Sequence, residues 1–179
     1  MDFKILYFLQ SLRTDFLDQF MVIVTKLAGS YGQIWLVVAA LLLIFKKTRK
    51  AGFTVLLSYA LVFIIGQLGL KDLIARPRPC HLDETVALLV KRPSSYSCPS
   101  THAAWAFAAA ASIACFHKKG CILAFLAAAL IAFSRLYMFV HFPSDVLIGC
   151  VLGVLCALAS APIVKAIDKK ICAKKAANA

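Results

Sequence analysis

The chain has 179 residues, of which 62% are hydrophobic and 16% charged, with a formal net charge of +12. Soluble domains carry about 25% charged residues and disordered chains are poorly hydrophobic, so both classes are excluded. The cations fall between apolar runs instead of forming one face, which argues against a nucleic-acid partner, and the length suits a multi-pass membrane protein with no room for a second domain.

In chain order, residues 3–12 place Phe3, Ile5, Leu6, Phe8, Leu9 and Leu12 at near-helical spacing around Lys4 and Gln10, which predicts a short interfacial helix. The stretch from Asp2 to Asp18 lacks the basic start, apolar core and small-residue cleavage site of a signal peptide, so the start is expected to be retained. Residues 16–28 are apolar but broken by Asp18 and Lys26 and end at Gly29, Ser30 and Gly32, predicting a short or tilted span. Further spans are expected over 33–45, 52–74, 100–116, 121–140 and 145–164, followed by a basic tail over 165–179. The expected fold is thus all-α: one multi-pass membrane helical bundle over 1–179, with about six transmembrane helices and the N-terminal interfacial helix.

Sidedness follows from the connections. Lys46, Lys47, Arg49 and Lys50, then Lys118 and Lys119, then Lys165, Lys169, Lys170, Lys174 and Lys175 share one side by span parity. The positive-inside rule places that side, tail included, in the cytoplasm and the 76–98 loop outside a cell membrane. Alanines at 103, 104, 106 and 108–111 and the Gly149-x-x-x-Gly153 pair would let helices approach closely.

Ionisable groups at membrane depth are costly and usually face a functional cavity. Here they form three clusters. Lys71 precedes Arg76-Pro77-Arg78-Pro79, whose prolines stop the third span. Pro99-Ser100-Thr101-His102 opens the fourth, presenting free N–H groups and the positive end of a helix dipole. Ser134-Arg135 ends the fifth and is followed by His141 and, four residues on, Asp145. Span parity brings all three to one surface. Three cations, a helix N-terminus and a hydroxyl suit the oxygens of a phosphoryl group, and two histidines can supply a nucleophile and an acid. This reading requires the groups to meet around one anion-sized volume with His141 open to approach.

The motifs Lys71-x6-Arg78-Pro79, Pro99-Ser100-Thr101-His102 and Ser134-Arg135-x5-His141-x3-Asp145 resemble, in order and spacing, the three-part signature of the type 2 phosphatidic acid phosphatase family. Thr101 departs from it, standing where the family usually has Gly, which bears on how closely the backbone approaches the phosphate but leaves the N–H in place. The resemblance implies that His141 attacks phosphorus to give a phosphohistidine, that Asp145 orients His141, and that His102 protonates the leaving oxygen. Lys71, Arg78, Ser100, Thr101 through its backbone, and Arg135 would hold the phosphoryl oxygens, with no metal and no cofactor.

The partners expected are a lipid phosphate and membrane lipids, with the oligomeric state open. The favoured substrate is undecaprenyl diphosphate at the outer leaflet, with phosphatidylglycerophosphate, phosphatidate and lipid A as alternatives. An oxidase using vanadate in the same pocket and a non-catalytic transporter or scaffold are the other classes. Arg76 reads as a substrate contact or as a snorkelling side chain, and His117 as a histidine bonded to a backbone carbonyl. A metal centre from His81, Asp83, Glu84, His102 and His141 is disfavoured by the cations around it. Cys80 and Cys98 bracket the external loop and form a possible disulfide. The apolar run Thr85–Val90 is either a lid or a segment lying on headgroups.

Overall fold

A computed structural model describes residues 2–177, and no strand occurs among them. Helix α1 (Asp2–Ser11) and α2 (Asp15–Ala28) are separated by a cap: the Thr14 hydroxyl accepts the Leu17 N–H at 3.3 Å, and Asp15 and Asp18 lie in the first turn, where the dipole favours them. Gly29, at φ 73°, ends α2. Helix α3 (Ile34–Ile44) turns through Thr48 into α4 (Arg49–Leu61), which runs on as a π-helical stretch (Val62–Leu70) and a last turn, α5 (Lys71–Ile74). Arg76 precedes proline and is barred from the helical region, so the chain turns away one residue earlier, at Ala75 (φ 48°). The short α6 (Pro79–Leu82) leads into an irregular loop, after which come α7 (Thr101–Ala114), α8 (Cys121–Tyr137) and α9 (Pro143–Ala177).

Among the described residues, two stretches, Arg49–Leu82 and Pro143–Ala176, are long and apolar enough to cross a membrane, and Ile34–Ile44 and Cys121–Tyr137 are shorter apolar helices. Of the basic tail expected over 165–179, residues 165–177 continue α9 unbroken past Pro162. Its alanines and lysines are good helix formers, and Asp168 pairs with Lys50 of α4 at 2.6 Å.

The core is built on α7, whose alanines are almost wholly buried. Against it lies α9, at a distance set by glycine. A β-carbon at Gly149 would fall inside contact distance of the Ser100 carbonyl oxygen, and one at Gly153 inside that of the Ala104 carbonyl. These two positions leave the helix backbones touching. A second cluster joins Leu6 of α1 to Cys80 and to Tyr137–Val140 and Phe142, and Val86, Leu88, Leu89 and Val90 of the loop pack onto it. The apolar loop segment therefore folds back on the protein, fastened by Arg13, whose guanidinium donates to the Ala87 carbonyl at 2.8 Å. At the other end of the bundle, Nε2 of His117 is buried without a partner among the described residues, contrary to the expected carbonyl bond, and lines a cavity of about 580 Å³ with Thr48, Lys118 and Lys119.

Candidate active site

The start of α9 positions the first pair. Phe142 is its cap, Pro143 its first residue, and the Asp145 carboxylate reaches back to accept the Phe142 N–H at 2.9 Å, half of a capping box. The same local bond that starts the helix thus aims Asp145 at His141, with Nδ1 to Oδ2 at 3.8 Å. Ser97 lies beside both: its hydroxyl donates to Asp145 Oδ2 at 2.5 Å, leaving a lone pair 3.5 Å from His141 Nδ1.

The other nitrogen of His141, Nε2, is 3.1 Å from the Arg78 guanidinium, which also donates to the Val140 carbonyl at 2.8 Å. Arginine can only donate, so Nε2 is an acceptor and the neutral ring carries its proton on Nδ1, facing Ser97 and Asp145. Burial, and then the charges of Arg78, Arg135 and Lys71, push the imidazole below its ordinary range, with Asp145 opposing. The ring is therefore neutral, with its lone pair at Nε2.

Lys71 and Arg78 converge on Ser95: Nζ of Lys71 is 3.3 Å from its hydroxyl, and Arg78 reaches the hydroxyl at 3.1 Å and the carbonyl at 2.6 Å. The backbone N–H of Ser100 donates to the Asp145 carbonyl at 3.0 Å, joining the start of α7 to the first turn of α9. Arg135 donates to the Thr25 hydroxyl of α2, and His102 Nε2 lies 2.9 Å from the Gly29 carbonyl at the end of α2. Thr101 is buried, with its hydroxyl 3.4 Å from Gln67 of the π-helical stretch.

The structure thus brings Lys71, Arg78, Ser100, Thr101, Arg135, His141 and Asp145 together as buried groups at one end of the bundle, with His102 half-buried beside them. Two donors there have no partner among the described residues, the Ser100 hydroxyl and Nε of Arg135. Buried polar groups are seldom left so, and an anionic oxygen within reach would satisfy either donor. The expected open approach to His141 is absent: the residue is 1% exposed and Arg78 occupies Nε2. An incoming phosphate must draw the Arg78 guanidinium onto itself, which its charged oxygens favour over a neutral ring nitrogen.

Several participants were not foreseen. Ser95 and Ser97 are loop serines with no pattern to mark them, and Thr25 and Gly29 belong to the helix least secure in the sequence. Arg76, expected to contact substrate or snorkel, instead turns inward to Asp145, at 2.7 Å. Cys80 and Cys98 are both buried and free, Cys80 within the Tyr137–Phe142 cluster and Cys98 beside Asp145. His81 is exposed, Asp83 accepts the Tyr7 hydroxyl at 2.7 Å, and Glu84 pairs with Arg92, so these residues are spread along the loop and not gathered with His102 and His141.

Comparison with known proteins points to one family. The chain is 37% identical over 138 residues to an undecaprenyl-diphosphatase of Sulfolobus acidocaldarius, covering 76% of this chain and 66% of that one. It is 34% identical over 124 residues to a decaprenylphosphoryl-5-phosphoribose phosphatase of Mycobacterium tuberculosis, covering 66% of this chain and 65% of that one. The chain thus spans just under two thirds of the length of these relatives. The crystal structure of Aquifex aeolicus LpxE superposes with a TM-score of 0.72 at 30% identity, covering 89% of this chain and 93% of its own. That of a transmembrane PAP2-type phosphatidylglycerolphosphate phosphatase from Bacillus subtilis does so with a TM-score of 0.71 at 31% identity, covering 95% and 85%. Residues 47–169, which hold all three motifs, match the PAP2 superfamily, and the chain belongs to it as a membrane protein.

Proposed function

We propose that the protein is a membrane lipid phosphatase working through a phosphohistidine on His141. The observation that carries this reading is the burial of Lys71, Arg78, Arg135 and Ser100, from four separate segments, beside a neutral histidine whose Nε2 lies 3.1 Å from Arg78, with two buried donors still unpaired.

The substrate phosphate is gripped by Lys71, Arg78, Arg135, the Ser100 hydroxyl and the free N–H groups at the start of α7, including that of Thr101. The Nε2 lone pair of His141 forms a bond to phosphorus as the bond from phosphorus to the lipid-bearing oxygen breaks, and His102 gives that oxygen a proton. Asp145 stabilises the imidazolium through the Nδ1 side. Water then attacks phosphorus, His102 takes its proton back, phosphate leaves, and His141 is neutral again. No step draws on a metal or cofactor.

Six membrane spans, with the site on the extracytoplasmic side and the C-terminal end in the cytoplasm, complete the reading. Undecaprenyl diphosphate is the favoured substrate, supported by the name of the Sulfolobus relative; phosphatidylglycerophosphate, phosphatidate and lipid A phosphate remain the alternatives, since the groups that hold the phosphate do not touch a tail. Phosphate release from a panel of these four lipids in detergent tests the choice. Fastest turnover is expected on undecaprenyl diphosphate, and binding without release from any of them would refute the enzyme.

The pH dependence follows from the two histidines. His141 attacks only when neutral, so activity falls as pH drops through its pKa, which lies below the ordinary imidazole range. His102 donates only when charged, so activity falls again as it loses its proton. A bell-shaped profile of kcat/KM is expected, with its acid limb below the ordinary imidazole range; a rate rising monotonically from pH 4 to 9 would exclude these roles.

A further inference from the structure

Asp145 is completely buried, and each of its oxygens is engaged. Oδ2 accepts from Ser97 and the Phe142 N–H and faces His141. Oδ1 accepts from Arg76 at 2.7 Å. Arg76 is itself held by several groups. Its Nη2 pairs with Asp2 at 3.1 Å; Nη1, which holds Asp145, also donates at 2.7 Å to the Ser144 hydroxyl, which in turn donates to Asp2 at 2.6 Å; and the guanidinium carbon sits 4.1 Å from the centre of the Phe142 ring. Its carbonyl accepts the Ser97 N–H at 2.8 Å, so the residue that grips Asp145 also places the serine beside it.

Asp2 is the first residue of α1, the helix that shows Ile5, Tyr7 and Phe8 to the surroundings and lays Leu6 and Phe3 on the segment preceding α9. The path Asp2, Arg76, Asp145, His141 therefore runs from an amphipathic surface helix to the reacting nitrogen. We propose that Arg76, seated by Asp2, is a positioning residue for the nucleophile, so that the N-terminal helix takes part in setting the His141–Asp145 geometry. The inference rests on His141 being the nucleophile. Arg76 holds the carboxylate by its outer oxygen and keeps the inner one turned to the imidazole; it also withdraws part of the negative charge that His141 would otherwise feel.

The sign of the effect on His141 can be derived. The charged or titratable groups facing it are Lys71 of α5, Arg78 of the following loop, His102 of α7, Arg135 of α8 and Asp145 of α9, with Arg76 behind Asp145. Asp145 is the one anion among them. Removing Arg76 leaves that anion less compensated, stabilises the imidazolium, and moves the acid limb of the kcat/KM profile to higher pH.

The test is steady-state phosphate release by the full-length protein across pH 4 to 9, for Arg76→Gln, Arg76→Lys, Asp2→Asn, the Asp2→Asn/Arg76→Gln double variant and Tyr7→Phe. Arg76→Gln is expected to lower kcat by about tenfold or more with little change in KM, and to raise the acid limb. Arg76→Lys recovers part of both. Asp2→Asn lowers kcat in the same direction by less, and the double variant is no worse than Arg76→Gln, because Asp2 acts only through Arg76. Tyr7→Phe removes the contact of α1 with Asp83 but spares the path, and stays at the wild-type rate. Wild-type kcat and pH profile in Arg76→Gln, additive losses in the double variant, or equal losses in Tyr7→Phe and Asp2→Asn would overturn the proposal. Should Arg76→Gln fail to fold, Arg76→Lys and Asp2→Asn carry the same readouts. An inactive His141→Ala variant alongside silent Arg76 and Asp2 variants would remove this inference and leave the phosphohistidine reading standing; an active one would remove both.

Discussion

His141→Ala is expected to reduce phosphate release by about a thousandfold or more, because losing a covalent nucleophile removes the pathway and not merely some binding energy. The fold should survive. The ring is small, and the Arg78 nitrogen it leaves behind keeps its bond to the Val140 carbonyl, while Asp145 keeps its contacts with Ser97, Phe142 and Arg76. A monodisperse protein with near-normal thermal stability, no turnover, and no acid-labile phosphate after quenching with labelled substrate is the result to look for. Turnover close to wild type in that variant would end the mechanism.

Gly153→Val should be the most damaging single change to the bundle. The new β-carbon would meet the Ala104 carbonyl oxygen and the Ala108 nitrogen, both backbone atoms that cannot turn aside. Overpacking of this kind costs about 2–3 kcal/mol, or roughly 5–10 °C in Tm for a chain of this size. The loss of activity should exceed what stability alone explains: α7 carries Ser100, α9 carries Asp145, and their 3.0 Å backbone bond is at the head of the seam being forced open. Gly120→Ala is the matched control, since nothing but His117 lies near its β-carbon position, at 4.0 Å. Melting in detergent with a phosphate-release assay on both variants decides it; an unchanged Tm for Gly153→Val would show that the two helices do not touch.

The helical runs were legible because crossing lipid demands length and apolarity together, and any stretch satisfying both stands out in composition. The motif residues were legible for the opposite reason: Lys71, Arg135 and Asp145 are charges where charge is expensive. What composition and spacing do not encode is direction. Arg76 has the same neighbours in sequence whether it reaches outward to headgroups or inward to Asp145, and the choice is made by Asp2, seventy-four positions away. The partner of His102 is a backbone carbonyl, a group every residue owns, so no side-chain pattern could have named Gly29. Cys80 and Cys98 looked pairable because they bracket a loop, yet each is claimed by its own packing. The basic stretch beyond Val164 looked like a tail because its polarity changes, whereas helix continuation depends on backbone propensity, which lysine and alanine satisfy.

The rigid C-terminal helix also acts as a depth gauge. At about 1.5 Å per residue, the stretch from Pro143 to Lys165 rises roughly 33 Å, close to the roughly 30 Å thickness of a hydrocarbon layer. On the proposed orientation, with its first lysine at one boundary, Pro143 lies near the other, and Asp145 and His141 sit close to the headgroup region. A substrate then need not be lifted out into water to react: it can drift sideways within its own leaflet until its headgroup swings in among the cations, its tail never leaving oil.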